Sequence, residues 1–246
     1  MTFTSTRLGQ FAYFSQQLSD TMWRGKNVLD FGGNIGNILR DSNSTIDPER
    51  YWCLDVDEDS IRQGKKSFPQ SHWLFYNRFS FFFNPDGVPN LPLPDMKQTF
   101  DYVVAFSVFT NTNESDMLQL VDELTGVLTK DGALAFTFID PYCFSWGAEQ
   151  QRNNLQWRLD LEVERKNVSA VEAQKLDDRV QQASWFTLVN GTDLYLETDD
   201  IKPYDREQQK TFHVFHTVDY MKSLFPQATI LPPVNNEMQH CCIIRK

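Results

Sequence analysis

The chain has 246 residues, enough for one large domain or a domain carrying a sizeable insertion. Hydrophobic residues make up 41% of it, so a full core is available, and the aromatic share of 14% suggests an apolar cavity besides. A net charge of −10 with no basic run excludes a surface built to displace counterions from nucleic acid or anionic lipid.

Cys53, Cys143, Cys241 and Cys242 show no Cys-x-x-Cys spacing and no paired histidines, so neither a zinc site nor a disulfide framework is indicated. A polar start without a secretion signal, and no apolar run of membrane-spanning length, imply a cytoplasmic, reducing setting. Arg7 to Met22 places Leu8, Phe11, Ala12, Phe14 and Leu18 at helical spacing. Asn27–Phe31 reads as a first strand, running into the glycine turn Gly32-Gly33-Asn34-Ile35-Gly36 and a helix that fades at Asp41. Tyr51–Asp55 is a second apolar run ending in an acid, and Asp57-Glu58-Asp59 opens a helix to about Ser67.

His72–Tyr76 reads as strand three, ending at Asn77-Arg78. Pro85, Pro89, Pro92 and Pro94 then enforce a loop. Phe100–Phe106 is a buried strand, Asn113–Thr125 a helix, Lys130-Asp131-Gly132 a turn, and Ala133–Ile139 strand five, closed by Asp140-Pro141. Up to here strand and helix alternate with short links, which implies a doubly wound parallel α/β sheet with its ligand edge at the strand C-termini.

Alternation stops at Tyr142. Ala148 to Ala183 reads as helical, and Asn190-Gly191 between Phe186–Val189 and Asp193–Leu196 signals a hairpin. A helix resumes over Thr217–Phe225, with Val218, Met221, Leu224 and Phe225 inward, and Ala228–Leu231 and Cys241–Ile244 close the chain as strands. The predicted organisation is a core of 1–141 and 212–246, with 142–211 as an inserted cap.

These motifs resemble the class I S-adenosylmethionine-dependent methyltransferases of small-molecule type. The family's first motif matches Val28-Leu29-Asp30-Phe31-Gly32-Gly33-Asn34-Ile35-Gly36, and its acid ending strand two matches Asp55. Phe100–Asn111 resembles its fourth-strand motif, and Leu128–Leu134 the glycine-bearing leader to strand five. Each motif is weak alone; four in order are specific. The resemblance implies a Rossmann-like sheet of seven strands, the last antiparallel, and S-adenosyl-L-methionine as cofactor. Two positions depart from the pattern. Asn34 replaces the central glycine, in a left-handed position that Asn tolerates, and Asn111 stands where many members carry His.

The resemblance implies roles as well. The backbone of Gly32, Gly33, Asn34 and Gly36 would meet the amino-acid end of the cofactor, with Asp30 near its ammonium group, directly or through water. Asp55 would accept the ribose hydroxyls, Val56 cover the adenine, and Asn77 with Arg78 reach its edge, while Phe106 and Ser107 border the methionine part. On that basis Asp55→Ala should weaken the cofactor and leave the fold intact. Candidate bases are His213, His216 and Asp140, needed only if the acceptor must first lose a proton. Asn111, Tyr142, Phe144, Trp146 and Trp185 are candidates to line the acceptor pocket, with Trp157 and Phe186 in its roof; a homodimer surface is the other use of the insertion. The acceptor is read as a small or medium organic molecule, such as a specialised metabolite or a peptide end.

Two rivals stay open. A nicotinamide-dependent oxidoreductase requires Gly-x-Gly-x-x-Gly, and Gly32–Asn37 lacks the second and third glycines. A catalytically silent binding protein is kept in view by Asn34 and Asn111. A nucleic-acid methyltransferase is disfavoured by the charge.

Overall fold

The computed structural model describes residues 9–80, 83–140, 185–189, 193–196, 211–234 and 239–246, with backbone alone for 185–213 among these. Seven strands form the main sheet: β1 (Val28–Phe31), β2 (Tyr51–Asp55), β3 (His72–Phe75), β4 (Phe100–Ala105), β5 (Leu128–Phe138), β9 (Thr229–Leu231) and β10 (His240–Arg245). Their order is β3-β2-β1-β4-β5-β10-β9, with β10 antiparallel to both neighbours and the rest parallel. The chain reverses its direction of winding between β1 and β4, and that is where a doubly wound sheet opens a crevice beyond its strand ends.

Period-two alternation distributes the core to both faces. Leu29, Phe31, Val103 and Phe136 pack with Met117, Leu120 and Leu124 of α4 (Glu114–Gly126) and Met221 of α5 (Val218–Leu224). Val28, Tyr51, Cys53 and Val104 pack on the other side with Tyr13, Phe14 and Leu18 of α1 (Gln10–Leu18), Ile38 of α2 (Asn37–Asp41) and Ile61 of α3 (Glu58–Ser67). Cys241 and Cys242 lie on opposite faces, as neighbours on a strand must.

Two expectations need correction, and one strand has no counterpart in the sequence reading. Helix α1 is shorter than Arg7–Met22: Ser19 caps it in the left-handed region at φ 54°, and Ala12 is exposed while Tyr13 is buried. Lys130-Asp131-Gly132 is no turn. It lies within an eleven-residue β5, where a register shift opposite Phe100 and Tyr102 takes up the irregularity. Thr211–His216, unassigned from sequence, is a strand, β8, which pairs with β6 (Trp185–Val189); β6 pairs antiparallel with β7 (Asp193–Leu196). The helices expected over Ala148–Ala183 lie outside the described residues. The small sheet joins the main body where the His216 N–H donates to Ile139 O at 3.0 Å, and β8 packs beside the 3-10 turn Phe109–Asn111.

Trp73 of β3 wedges between α3 and the glycine turn, its indole N–H held by Phe68 O at 3.0 Å. A Cβ on Gly64 of α3 would lie 2.1 Å from that ring. Alanine normally favours a helix over glycine by about 1 kcal/mol, but here the overlap wins: Gly64→Ala should destabilise by roughly 1–3 kcal/mol. A lowered urea midpoint checks this, and a raised one would show that Trp73 yields.

Candidate functional site

A cleft of about 550 Å³ opens beyond the C-terminal ends of β1, β2 and β4, within the range of small-molecule sites. Its floor is the glycine turn. Gly32 (φ 72°), Asn34 (φ 54°) and Gly36 (φ 83°) all take the left-handed region, so the turn survives Asn34 by using that residue's tolerance for it. The Asn34 N–H donates to Asp55 Oδ2 at 2.7 Å, and the Asp57 N–H donates to Asp55 Oδ1 at 2.8 Å. One carboxylate thus holds the two loops that follow β1 and β2. Burial raises the Asp55 carboxyl, opposed by those same N–H groups. A carboxylate offers about four lone-pair sites, so Asp55 keeps acceptor capacity toward the cleft that it lines. Asp55→Ala would leave both loop N–H groups without this acceptor.

Gly32, Asn34, Asp55 and Val56 line the cleft, as do Arg78, Phe106, Ser107 and Asn111. Asp30, Gly33, Gly36 and Asn77 are absent from that lining. Asp30 shares the face of Val28, which turns it beneath Gly33. There it is 3% exposed and accepts the Tyr51 hydroxyl at 2.6 Å, out of direct reach of a ligand's ammonium group. A Cβ on Gly33 would lie 2.5 Å from the Asp30 carboxyl, so glycine is required there for packing. Asn77 faces Asn84, whose side-chain N–H donates to its Oδ1 at 3.0 Å.

The candidate bases are dispersed. Asp140 Oδ2 accepts the Val218 N–H at 2.7 Å at the start of α5. His216 is buried with its ring parallel to Tyr220 and neither ring nitrogen bonded among the described residues; burial lowers it to about 4. Neither residue lines the cleft. The side chains of His213 and Trp185, and all of Tyr142, Phe144 and Trp146, lie outside the described residues.

Gln10, Asn37, Tyr76, Phe79 and Asp116 line the cleft without having been singled out from sequence. Asp116 could not have been: it pairs with the guanidinium of Arg78, 38 residues earlier. Arg78 also donates to Leu91 O at 2.6 Å and to Gln119 Oε1 at 3.2 Å. The proline loop and α4 are thereby fastened to the end of β3.

Residues 29–134 match the family model described as a methyltransferase domain. The fold of the whole chain matches mitomycin 7-O-methyltransferase at 10% identity and a TM-score of 0.50, over 96% of this chain and 54% of that one. An S-adenosylmethionine-dependent methyltransferase from Clostridium acetobutylicum matches at 11% identity and 0.51, over 96% and 89%. A protein of Pyrococcus horikoshii matches at 15% and 0.50, over 95% and 88%. The chain thus spans about half the length of the mitomycin enzyme. No curated protein matches the sequence significantly.

Two buried titratable groups, Asp30 and His216, give the chain a pH signature. Burial, with the charge of Asp55 adding to it, raises the Asp30 carboxyl from 3.8 to about 7. Folded Asp30 therefore keeps a proton that the unfolded chain releases, and its contribution to stability is lost as pH rises from about 4 to 7. His216, lowered from 6.5 to about 4, acts in the opposite sense: its contribution is lost as pH falls through that interval. Asp30→Asn should remove the first effect alone. Its urea midpoint should gain on the parent's as pH is raised from 5 to 7.5, and parallel midpoints would mean that Asp30 is ionised throughout.

Proposed function

We propose that this chain transfers the methyl group of S-adenosyl-L-methionine to an oxygen or nitrogen atom, carbon being the weaker fit, of a small or medium organic acceptor such as a specialised metabolite or a peptide end. The observation that carries the reading is the chemistry of the cleft. Asp55 keeps free acceptor positions for hydroxyl donors, while the one cationic side chain among the described lining residues, Arg78, is neutralised by Asp116. A ribose without phosphates suits that arrangement and a dinucleotide does not. Bound there, the cofactor supplies an electrophilic methyl group on a sulfonium.

Asp55 would hold the ribose, Val56 cover the adenine, and the Gly32–Asn34 backbone with Phe106 and Ser107 border the methionine part. His216 and Asp140 are engaged elsewhere. Alignment of nucleophile, methyl carbon and sulfur then carries the acceleration. β8 runs from the small sheet to the rim turn Phe109–Asn111, which supports 142–211 as a cover over the acceptor. The unpaired thiols of Cys53, Cys241 and Cys242 fit a cytoplasmic setting.

Calorimetry with S-adenosylmethionine, S-adenosylhomocysteine and NAD tests the reading. The first two should bind and NAD should not; NAD binding without a response to the sulfonium would overturn it. Asp55→Asn keeps one acceptor oxygen for the loops and should weaken the sulfonium by roughly ten- to a hundredfold, as expected for losing a hydrogen bond to a charged group. Unchanged affinity would take Asp55 out of the site.

A further inference from the structure

The rim of the cleft where β4 ends holds a chain of hydrogen bonds. It starts at the Ser107 backbone N–H, a pure donor, which reaches Thr137 Oγ1 at 2.7 Å. Thr137 sends its own proton onward, to Gln239 Oε1. That sets the Gln239 amide so that its Nε2 donates to Ser107 Oγ at 3.1 Å. Ser107 in turn gives its hydroxyl proton to Thr110 Oγ1 at 3.1 Å, and Thr110 gives its own to Ser107 O at 3.0 Å.

Asn111 closes the relay. Its Nδ2 lies 3.2 Å from Ser107 O and 3.0 Å from Thr110 Oγ1. Ser107 O carries no hydrogen, and the Thr110 proton is already committed to that carbonyl, so only an NH2 group can stand at this place. An amide turned the other way would set oxygen against oxygen. Both N–H bonds of Asn111 therefore point into the protein, and Oδ1 is the amide atom left for the cleft. Thr112 behaves alike: its hydroxyl donates to Val108 O at 2.9 Å. Asn111 and Thr112 thus offer the cleft lone pairs and no side-chain proton.

The charges there agree. Asp55 and Asp116 face one cation, Arg78, and no histidine lines the cleft among the described residues. A group methylated here must bring a hydrogen for Asn111 Oδ1 and still hold a nucleophilic lone pair. A carboxylate brings none and meets a net negative site; a phenol or alcohol brings one but is a strong nucleophile only once it has lost it, and no histidine stands among the described lining residues to take it; a neutral amine keeps both.

Building on the methyl-transfer reading above, we propose that the acceptor is a primary or secondary amine, held by an N–H bond to Asn111 Oδ1. The amine gives its ammonium proton to water before it binds; its nitrogen lone pair then forms the N–C bond as the C–S bond breaks, with that electron pair going to sulfur. The positive charge passes from sulfur to nitrogen, and the resulting ammonium gives its proton to water. Acidic Asp55 and Asp116 suit a product that is cationic until then.

The test uses the full chain, S-adenosylmethionine deuterated in its methyl group, and a small-molecule extract of the source cells, with labelled products identified by mass spectrometry. The label is expected on an amine nitrogen. Label in an ester or ether, or in no fraction while calorimetry shows the sulfonium bound, overturns the amine proposal; a chain that binds no sulfonium overturns the methyl-transfer reading instead. Asn111→Leu loses the cleft-facing oxygen together with the inward N–H bonds. With the labelled amine as substrate it should lose about tenfold or more in kcat/KM, the scale of one hydrogen bond, with sulfonium affinity retained. An unchanged kcat/KM would take Asn111 Oδ1 out of acceptor binding, and a loss matched by an equal loss of sulfonium affinity would reduce Asn111 to a support of its turn.

Discussion

The Asp55 carboxylate is the interaction on which the rest of this site depends. Two loops leave neighbouring parallel strands, and each must expose backbone N–H groups where a ligand is to lie. Asp55 accepts one N–H from each, from Asn34 and from Asp57. A buried carboxylate is costly without such partners, and a left-handed turn is loose without an anchor. Each makes the other tenable, and the carboxylate still faces the cleft.

A second constraint is the pleat of the sheet. Because side chains alternate, Phe31 at the end of β1 faces the cleft and Asp30 before it cannot. Asp30 instead sits with Tyr51 beneath Gly33, and its burial is what raises its affinity for a proton. The first motif therefore divides its work: the backbone above presents to the ligand, and the acid below carries the turn.

At the far wall, Arg78 does what hydrophobic packing cannot. Four acceptors from three segments, Tyr76, Leu91, Asp116 and Gln119, converge on one buried guanidinium. Its planar fork suits that geometry, and it leaves the cleft with no unpaired cation among the described residues. At the opposite rim the Ser107–Asn111 relay fixes the sense of an amide by the same logic of counted donors.

The sequence by itself determined the order and type of nearly every described element of the main sheet, because strand and helix periods, acid-first helix starts and glycine turns are local signals. It also determined that Asn34 could keep the turn and that Asp55 would stand at its edge. What it left unsettled was everything that needs partners far apart in the chain. Arg78 with Asp116, and Ser107 with Thr137 and Gln239, leave no trace in local spacing. The burial of His216 and the capping duty of Asp140 likewise appear only once β8 and α5 are folded against β5. The facing of Asn111, by contrast, is set close by in the chain, where the Ser107 carbonyl accepts its N–H; what only the tertiary structure decides is that the turn holding both stands at the rim of the cleft.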